Sequence, residues 1–289
     1  MTNMNFQLKS AVADNLNFVL TNRVPRALLT RLMGWYSRIE SPRLARVSIW
    51  LWRRFSDLDL CDAKRSDFVS VHDCFTRELR PGARPLDPRS DILSSPSDAI
   101  IGACGAMAGA ELLQVKGSPY HLADLVPDAA MRAAFTDGHY VTLRLTAGMY
   151  HRFHAPADMI IERIIYISGD TWNVNPPALQ RIPGLFCRNT RAAILCRLVA
   201  SGAPLLLVPV AAILVASLRL HCLPQTLCRG YRGARNIDCD VAVSKGEELG
   251  WFEHGSTIIV IAPAGMNLAE GIVSGQRLRM GQALLQTSL

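Results

Sequence analysis

The run Ile258-Ile259-Val260-Ile261 sets the strongest limit on what this chain can fold into. Four β-branched residues in series lose rotamer freedom in a helix and suit a strand buried on both faces. Similar short apolar runs recur beyond about residue 90, at 100–101, 112–115, 141–145, 160–167 and 205–215. Gly, Pro and Asp separate them, which predicts a mostly β body with few helices. There is no repeat of fixed period and no low-complexity tract. At 289 residues the chain is long enough to bury a substantial core.

Residues 1 to about 70 are written differently. Leu16, Phe18, Val19, Leu20, Val24, Leu28, Leu29 and Leu32 recur among Arg23, Arg26 and Arg31. Pro25 fits the first turn of a second helix. Trp35 and Tyr36 follow, then Val47, Ile49, Trp50, Leu51 and Trp52 beside Arg53 and Arg54. This spacing predicts helices. Indoles beside cations suit an amphipathic region at lipid-headgroup depth. The same spacing suits helices packing on their own domain, and the two readings are compatible. Residues 73–80 read as a short helix stopped by Pro81-Gly82. The expected fold class is α+β, a helical, membrane-associating region over 1–70 on a β-rich body over 71–289.

Residues 202–218 are uncharged, but Pro204 and Pro209 interrupt them, so buried strands are expected there rather than a membrane span. The net charge of +7, mostly from arginine, suits an anionic partner. With no nucleic-acid motif and no lysine-rich tract, that partner is expected to be a membrane surface, and not a nucleic acid. Basic side chains contribute roughly 1 kcal/mol each against anionic lipid. Eight scattered cysteines have no Cys-x-x-Cys or His/Cys zinc spacing, so reduced thiols and no metal are expected. No signal-peptide or lipidation pattern is visible.

Immediately before the apolar run stands Gly255-Ser256-Thr257, after the turn-rich Lys245-Gly246-Glu247-Glu248-Leu249-Gly250. Taken alone it reads as an ordinary turn. It also has the makings of a self-cleaving bond. A serine hydroxyl can attack the preceding carbonyl and turn the amide into an ester. Elimination then leaves dehydroalanine, and hydrolysis leaves an N-terminal pyruvoyl group. Glycine before the serine leaves the carbonyl open to attack and tolerates strained backbone.

Three upstream segments occur in order with it. They are Ser95-Pro96-Ser97-Asp98 with Gln114-Val115-Lys116-Gly117 and Tyr120, then Tyr150-His151-Arg152-Phe153-His154-Ala155-Pro156, then Gly169-Asp170-Thr171-Trp172-Asn173-Val174-Asn175-Pro176 with Leu185-Phe186 and Arg188-Asn189. From about residue 70 onward this set resembles the phosphatidylserine decarboxylase proenzymes. Phe75-Thr76-Arg77 resembles a further short segment of that family. The resemblance implies self-cleavage between Gly255 and Ser256 into chains 1–255 and 256–289, which remain together as a heterodimer. By resemblance Asp98 orients His154, His154 deprotonates Ser256, and His151 protonates the product carbon. The implied cofactor is the pyruvoyl group from Ser256, which forms a Schiff base with phosphatidylserine and yields phosphatidylethanolamine and CO2. The implied location is peripheral, on the cytoplasmic face of a bacterial inner membrane, and a homodimer is a further expectation.

Isolated readings of these residues are plainer: a turn cap for Asp98, metal ligands or a buried polar pair for the two histidines. The sequence also departs from the family pattern at Ala99, Met149, Ala211-Ala212, Ala216-Ser217, Thr190 and His254. A pyruvoyl decarboxylase of a soluble amino acid and an uncut, non-catalytic membrane-binding relative are the rival readings.

Overall fold

A computed structural model describes residues 26–113, 119–213, 217–228, 230–253 and 256–287. Its main sheet has eight strands, each antiparallel to its neighbours. With strands numbered along the chain, the order is β11 (Asn236–Val243), β7 (Met159–Ile167), β8 (Arg191–Leu198), β9 (Pro204–Ala211), β13 (Ser256–Ala262), β5 (His139–Leu145), β2 (Ala99–Ala106), β15 (Arg277–Leu278). The β-branched run therefore lies at the centre, as β13. Ile258, Val260 and Ala262 enter one core, and Ile259 and Ile261 enter a second on the opposite face. A sheet covered on both sides accounts for a strand with no polar alternation.

A three-stranded sheet joins β10 (Leu218–Leu220), β12 (Glu248–Phe252) and β6 (Arg152–His154). Another joins β1 (Ile92–Ser94), β16 (Ala283–Thr287) and β14 (Met266–Leu268), and β3 (Glu111–Leu113) pairs with β4 (Pro119–His121). The apolar segment 202–218 supplies buried β9. Among the described residues no helix is long and apolar enough to cross a membrane.

Helix α1 spans Arg26–Ser37 and α2 spans Pro42–Phe55. Ser41 caps α2 by accepting from the Leu44 N–H, and Pro42 occupies the first turn, where its missing N–H costs nothing. Ala45 and Ile49 of α2 are buried in a small third core, with Trp52 packed against it. Residues 56–70 form no helix, so the expected helical region is shorter than 1–70; aspartates there bond to nearby backbone, as Asp59 does to the Cys61 N–H. The stretch from Leu16 to Pro25 lies outside the described residues.

The short helix expected at 73–80 is α3, Val71–Phe75, earlier and shorter. Ser70 caps its start by accepting from the Asp73 N–H. It ends at Thr76 because the next residues are drawn into the body: the Thr76 carbonyl accepts from Arg152, and the Arg77 guanidinium reaches the Gly148 carbonyl.

Candidate active site

Ser256 is the first residue of β13, paired with Leu145 on β5 and Ala211 on β9, and it is fully buried. His151, also fully buried, lies just before β6. Its Nε2 is 3.0 Å from the Thr146 carbonyl oxygen. That oxygen can only accept, so Nε2 carries a proton, and in the neutral ring Nδ1 keeps its lone pair. Nδ1 sits 3.3 Å from Ser256 Oγ, whose hydroxyl it can accept. The Phe75 ring stacks on the imidazole, with centroids 4.0 Å apart and planes 26° apart.

His154 occupies the other side of the segment. Tyr150 donates its hydroxyl to His154 Nε2 at 2.9 Å, and Nδ1 donates to the Gly246 carbonyl at 2.9 Å. Burial holds the Tyr150 hydroxyl above its usual pKa, so it remains a donor. Burial also pushes His154 below its ordinary value, against the pull of the Gly246 carbonyl and Glu248. Asp98 is held by Arg84 through two bonds, Nε at 2.8 Å and Nη2 at 2.6 Å, and it accepts the Met280 N–H at 2.9 Å. Arg84, Tyr150, Arg152, His154, His221 and Glu248 line a cavity of about 430 Å³.

The structure thus brings Ser256 to His151 and places Asp98 and His154 in a separate polar group with Arg84 and Tyr150. The expected division of labour had His154 at the serine. The geometry differs because β6 is extended, so positions 151 and 154 project to opposite sides. Gly255, His254 and the Gln114-Val115-Lys116-Gly117 segment lie outside the described residues. Of the departures, Ala99 opens β2 without positive φ, and the Met149 sulfur accepts the Thr146 N–H. Among the described residues no cluster of three His, Cys, Asp or Glu is placed to hold a metal.

Two further polar groups stand near the serine, one in the chain and one through the sheet. Glu253 accepts from Ser217 and from Arg38 at 2.6 Å, and faces His72 at 3.5 Å. Burial would raise its carboxyl, but these partners outweigh it and hold the pKa down at about 2. The Asn189 amide donates to the Trp172 and Ala211 carbonyls, tying the Gly169–Pro176 motif to the strand beside Ser256. Arg84 and Glu253 were not foreseen from sequence. Tyr150 and Phe75 were visible in motifs but carried no assigned role.

A model of the phosphatidylserine decarboxylase family matches residues 71–286. The chain is 37% identical over 293 residues to a phosphatidylserine decarboxylase proenzyme of Halorhodospira halophila, covering 97% of each. It is 34% identical to one from Erwinia tasmaniensis, over 96% of this chain and 95% of that one. For one from Albidiferax ferrireducens the figure is 33%, over 94% of this chain and 97% of that one.

Proposed function

Because the chain belongs to the phosphatidylserine decarboxylase family of carboxy-lyases, we propose that it is a proenzyme that cuts itself between Gly255 and Ser256 and then decarboxylates phosphatidylserine to phosphatidylethanolamine and CO2. The observation that carries this reading is the approach of His151 Nδ1 to Ser256 Oγ at 3.3 Å, with Nε2 fixed as the donor.

Cleavage begins when His151 accepts the Ser256 hydroxyl proton and Oγ bonds to the Gly255 carbonyl carbon. The C–N bond breaks, the nitrogen takes a proton, and the amide becomes an ester. Loss of the residue-256 Cα proton then breaks the Cβ–O bond. The Gly255 carboxylate leaves and dehydroalanine remains, which water converts to a pyruvoyl group with release of ammonia. Full burial of Ser256 and His151 favours this course, since excluding water protects the ester from simple hydrolysis.

The site fits a pyruvoyl group. Residue 256 is fully buried and anchored between two strands, and an imidazole nitrogen stands within reach of its side chain. The bound group would supply an electron-withdrawing ketone as the partner of the substrate amine and the sink for charge at its Cα. His151 is then the proton carrier we assign to that carbon. Asp98 and His154 complete the proposed site as positioning residues. His154 fixes Tyr150, the residue before His151, and Asp98 is anchored by Arg84 beside it.

The two chains would stay together, since β13 of the 34-residue chain 256–289 sits between β9 and β5 of the larger one. Membrane contact is supported by the exposed faces of α1 and α2. Trp35, Trp50 and Phe55 are 69%, 62% and 83% exposed, beside exposed Arg43, Arg46, Arg53 and Arg54. We place the protein peripherally on the inner-membrane surface, with a homodimer as a further proposal.

Denaturing mass spectrometry tests the reading. Two species are expected, the smaller starting at residue 256 with pyruvoyl in place of serine, together with CO2 release from phosphatidylserine vesicles. A single uncut chain after incubation with such vesicles overturns it.

A further inference from the structure

The face of β13 opposite to the Ser256 side chain carries a polar patch that the chemistry above does not use. Side chains alternate along a strand, so Thr257 shares its face with Ile259 and Ile261 of the second core. Thr257 is paired with Arg144 on β5, and Ile259 with Thr142. Directly opposed residues have Cβ atoms about 5 Å apart, so Thr257, Arg144 and Thr142 form one patch. The hydroxyls of Thr142 and Thr257 are fully buried and make no hydrogen bond. Arg144 is largely buried, and its Nε has no partner. Among the described residues no carboxylate or carbonyl meets its guanidinium. Gly102 on β2 leaves room for the arginine stem, since a Cβ there would meet Arg144 Cδ at 3.0 Å.

Other buried arginines of this chain are satisfied. Arg191 donates to the carbonyls of Asp124, Leu125, Cys187 and Asn189, and Arg84 grips Asp62 and Asp98. A desolvated cation beside two unpaired hydroxyls is unfavourable by itself, and it is the donor set that an oxyanion takes. Burial holds the Arg144 pKa below its ordinary value, and a bound anion would oppose that. Phosphatidylserine offers two anions, a carboxylate and a phosphodiester. A cation on the carboxylate would favour the bound state over the transition state, in which that charge leaves with CO2. The phosphodiester keeps its charge throughout, so gripping it holds the lipid without opposing the reaction. After the proposed cut residue 256 is a chain start, so a headgroup held there can pass round the strand end to the Thr257 face. We propose that Arg144, with Thr142 and Thr257, binds the phosphodiester of the lipid headgroup. The inference rests on the decarboxylase reading above and does not depend on which group takes the serine proton.

The test is calorimetric titration of the cut holoenzyme with two soluble probes, with thermal melting of each variant. Glycerophosphoethanolamine carries the phosphodiester and no carboxylate, and serine carries the carboxylate and no phosphate. Arg144→Gln should weaken binding of glycerophosphoethanolamine about tenfold or more and leave that of serine within about twofold. Arg144→Lys keeps the charge but loses the fork, and should fall between wild type and Arg144→Gln. Thr142→Val should weaken the same probe about threefold. Because Arg144→Gln removes an unpaired buried charge, it should melt no lower than wild type, whereas loss of a merely structural arginine would lower the melting temperature.

Unchanged affinity for glycerophosphoethanolamine in a cut Arg144→Gln protein overturns the proposal. So does a loss confined to serine, which would give the arginine to the carboxylate, and so does the absence of glycerophosphoethanolamine binding by cut, active wild type. If Arg144→Gln is not cut, Thr142→Val decides: weakened binding supports the subsite, and wild-type affinity removes it. A wild type that stays uncut, or that releases no CO2 from phosphatidylserine vesicles, strikes the decarboxylase reading and this inference with it, which keeps the two failures apart.

Discussion

His151 and His154 stand on one short extended segment and serve opposite sides of it. The first meets Ser256 Oγ at 3.3 Å, and the second meets the Tyr150 hydroxyl at 2.9 Å. Of the two, His151 is the one hydrogen-bonded to the Ser256 hydroxyl, whose proton the proposed cleavage moves first. We expect His151→Gln to block cutting and His154→Gln to slow it by about tenfold while still giving both chains. Intact mass over several hours separates the two. Normal cutting in His151→Gln, with none in His154→Gln, would reverse the assignment.

The strands were legible where their residues are β-branched and doubly buried, as in Ile258 to Ile261. That a short helix stands near residue 73 was legible, though its start at Val71 and its end at Phe75 were not. Residues 76 and 77 leave the helix to bond to Arg152 and Gly148, far along the chain, and no local pattern announces that. The same holds for the site. Its residue types stood in the motifs, but which histidine meets the serine depends on the path of β6 and β13. The Arg84–Asp98 pair was hidden for a similar reason, since nothing in the run Pro81 to Pro85 marks that arginine as buried against a carboxylate.

Arg84 is a strong test of how Asp98 is held. Both side chains are largely buried, at 9% and 12% exposure. Arg84→Gln leaves Asp98 without its bidentate partner, and should destabilise the fold by about 3–5 kcal/mol. Arg84→Lys keeps the charge but loses the fork, and should fall between the two. Urea unfolding of an uncut Ser256→Ala background checks this without interference from cleavage. Equal stability of all three would show that the pair contributes nothing to holding Asp98.

Glu253 makes acid stability informative. Its pKa is held at about 2, below its ordinary 4.5. A carboxyl with a lowered folded pKa stabilises the fold above the unfolded value, and loses that effect as pH falls through the folded one. The stability gap between wild type and Glu253→Gln should therefore be flat above about pH 5 and shrink between pH 4.5 and 2. Melting curves across that range read it directly. A gap that stays constant down to pH 2 would mean the carboxylate gains nothing from Arg38, His72 and Ser217.

The outward face of α2 allows the proposed membrane contact to be tested. Val47, Trp50, Leu51 and Phe55 are exposed while Ala45 and Ile49 are buried, so apolar side chains occupy both sides of the helix. Among the described residues the outer set is not part of any core, and four exposed arginines flank it. Burying one large apolar side chain is worth about 1.5–3 kcal/mol. Trp50→Glu with Phe55→Glu should therefore weaken sedimentation with anionic vesicles by about a hundredfold or more. Because the change lies outside the cores, the melting temperature should move little. Added salt should weaken wild-type binding as well, by screening the arginines. Unchanged vesicle binding by the double variant would assign membrane contact to another surface.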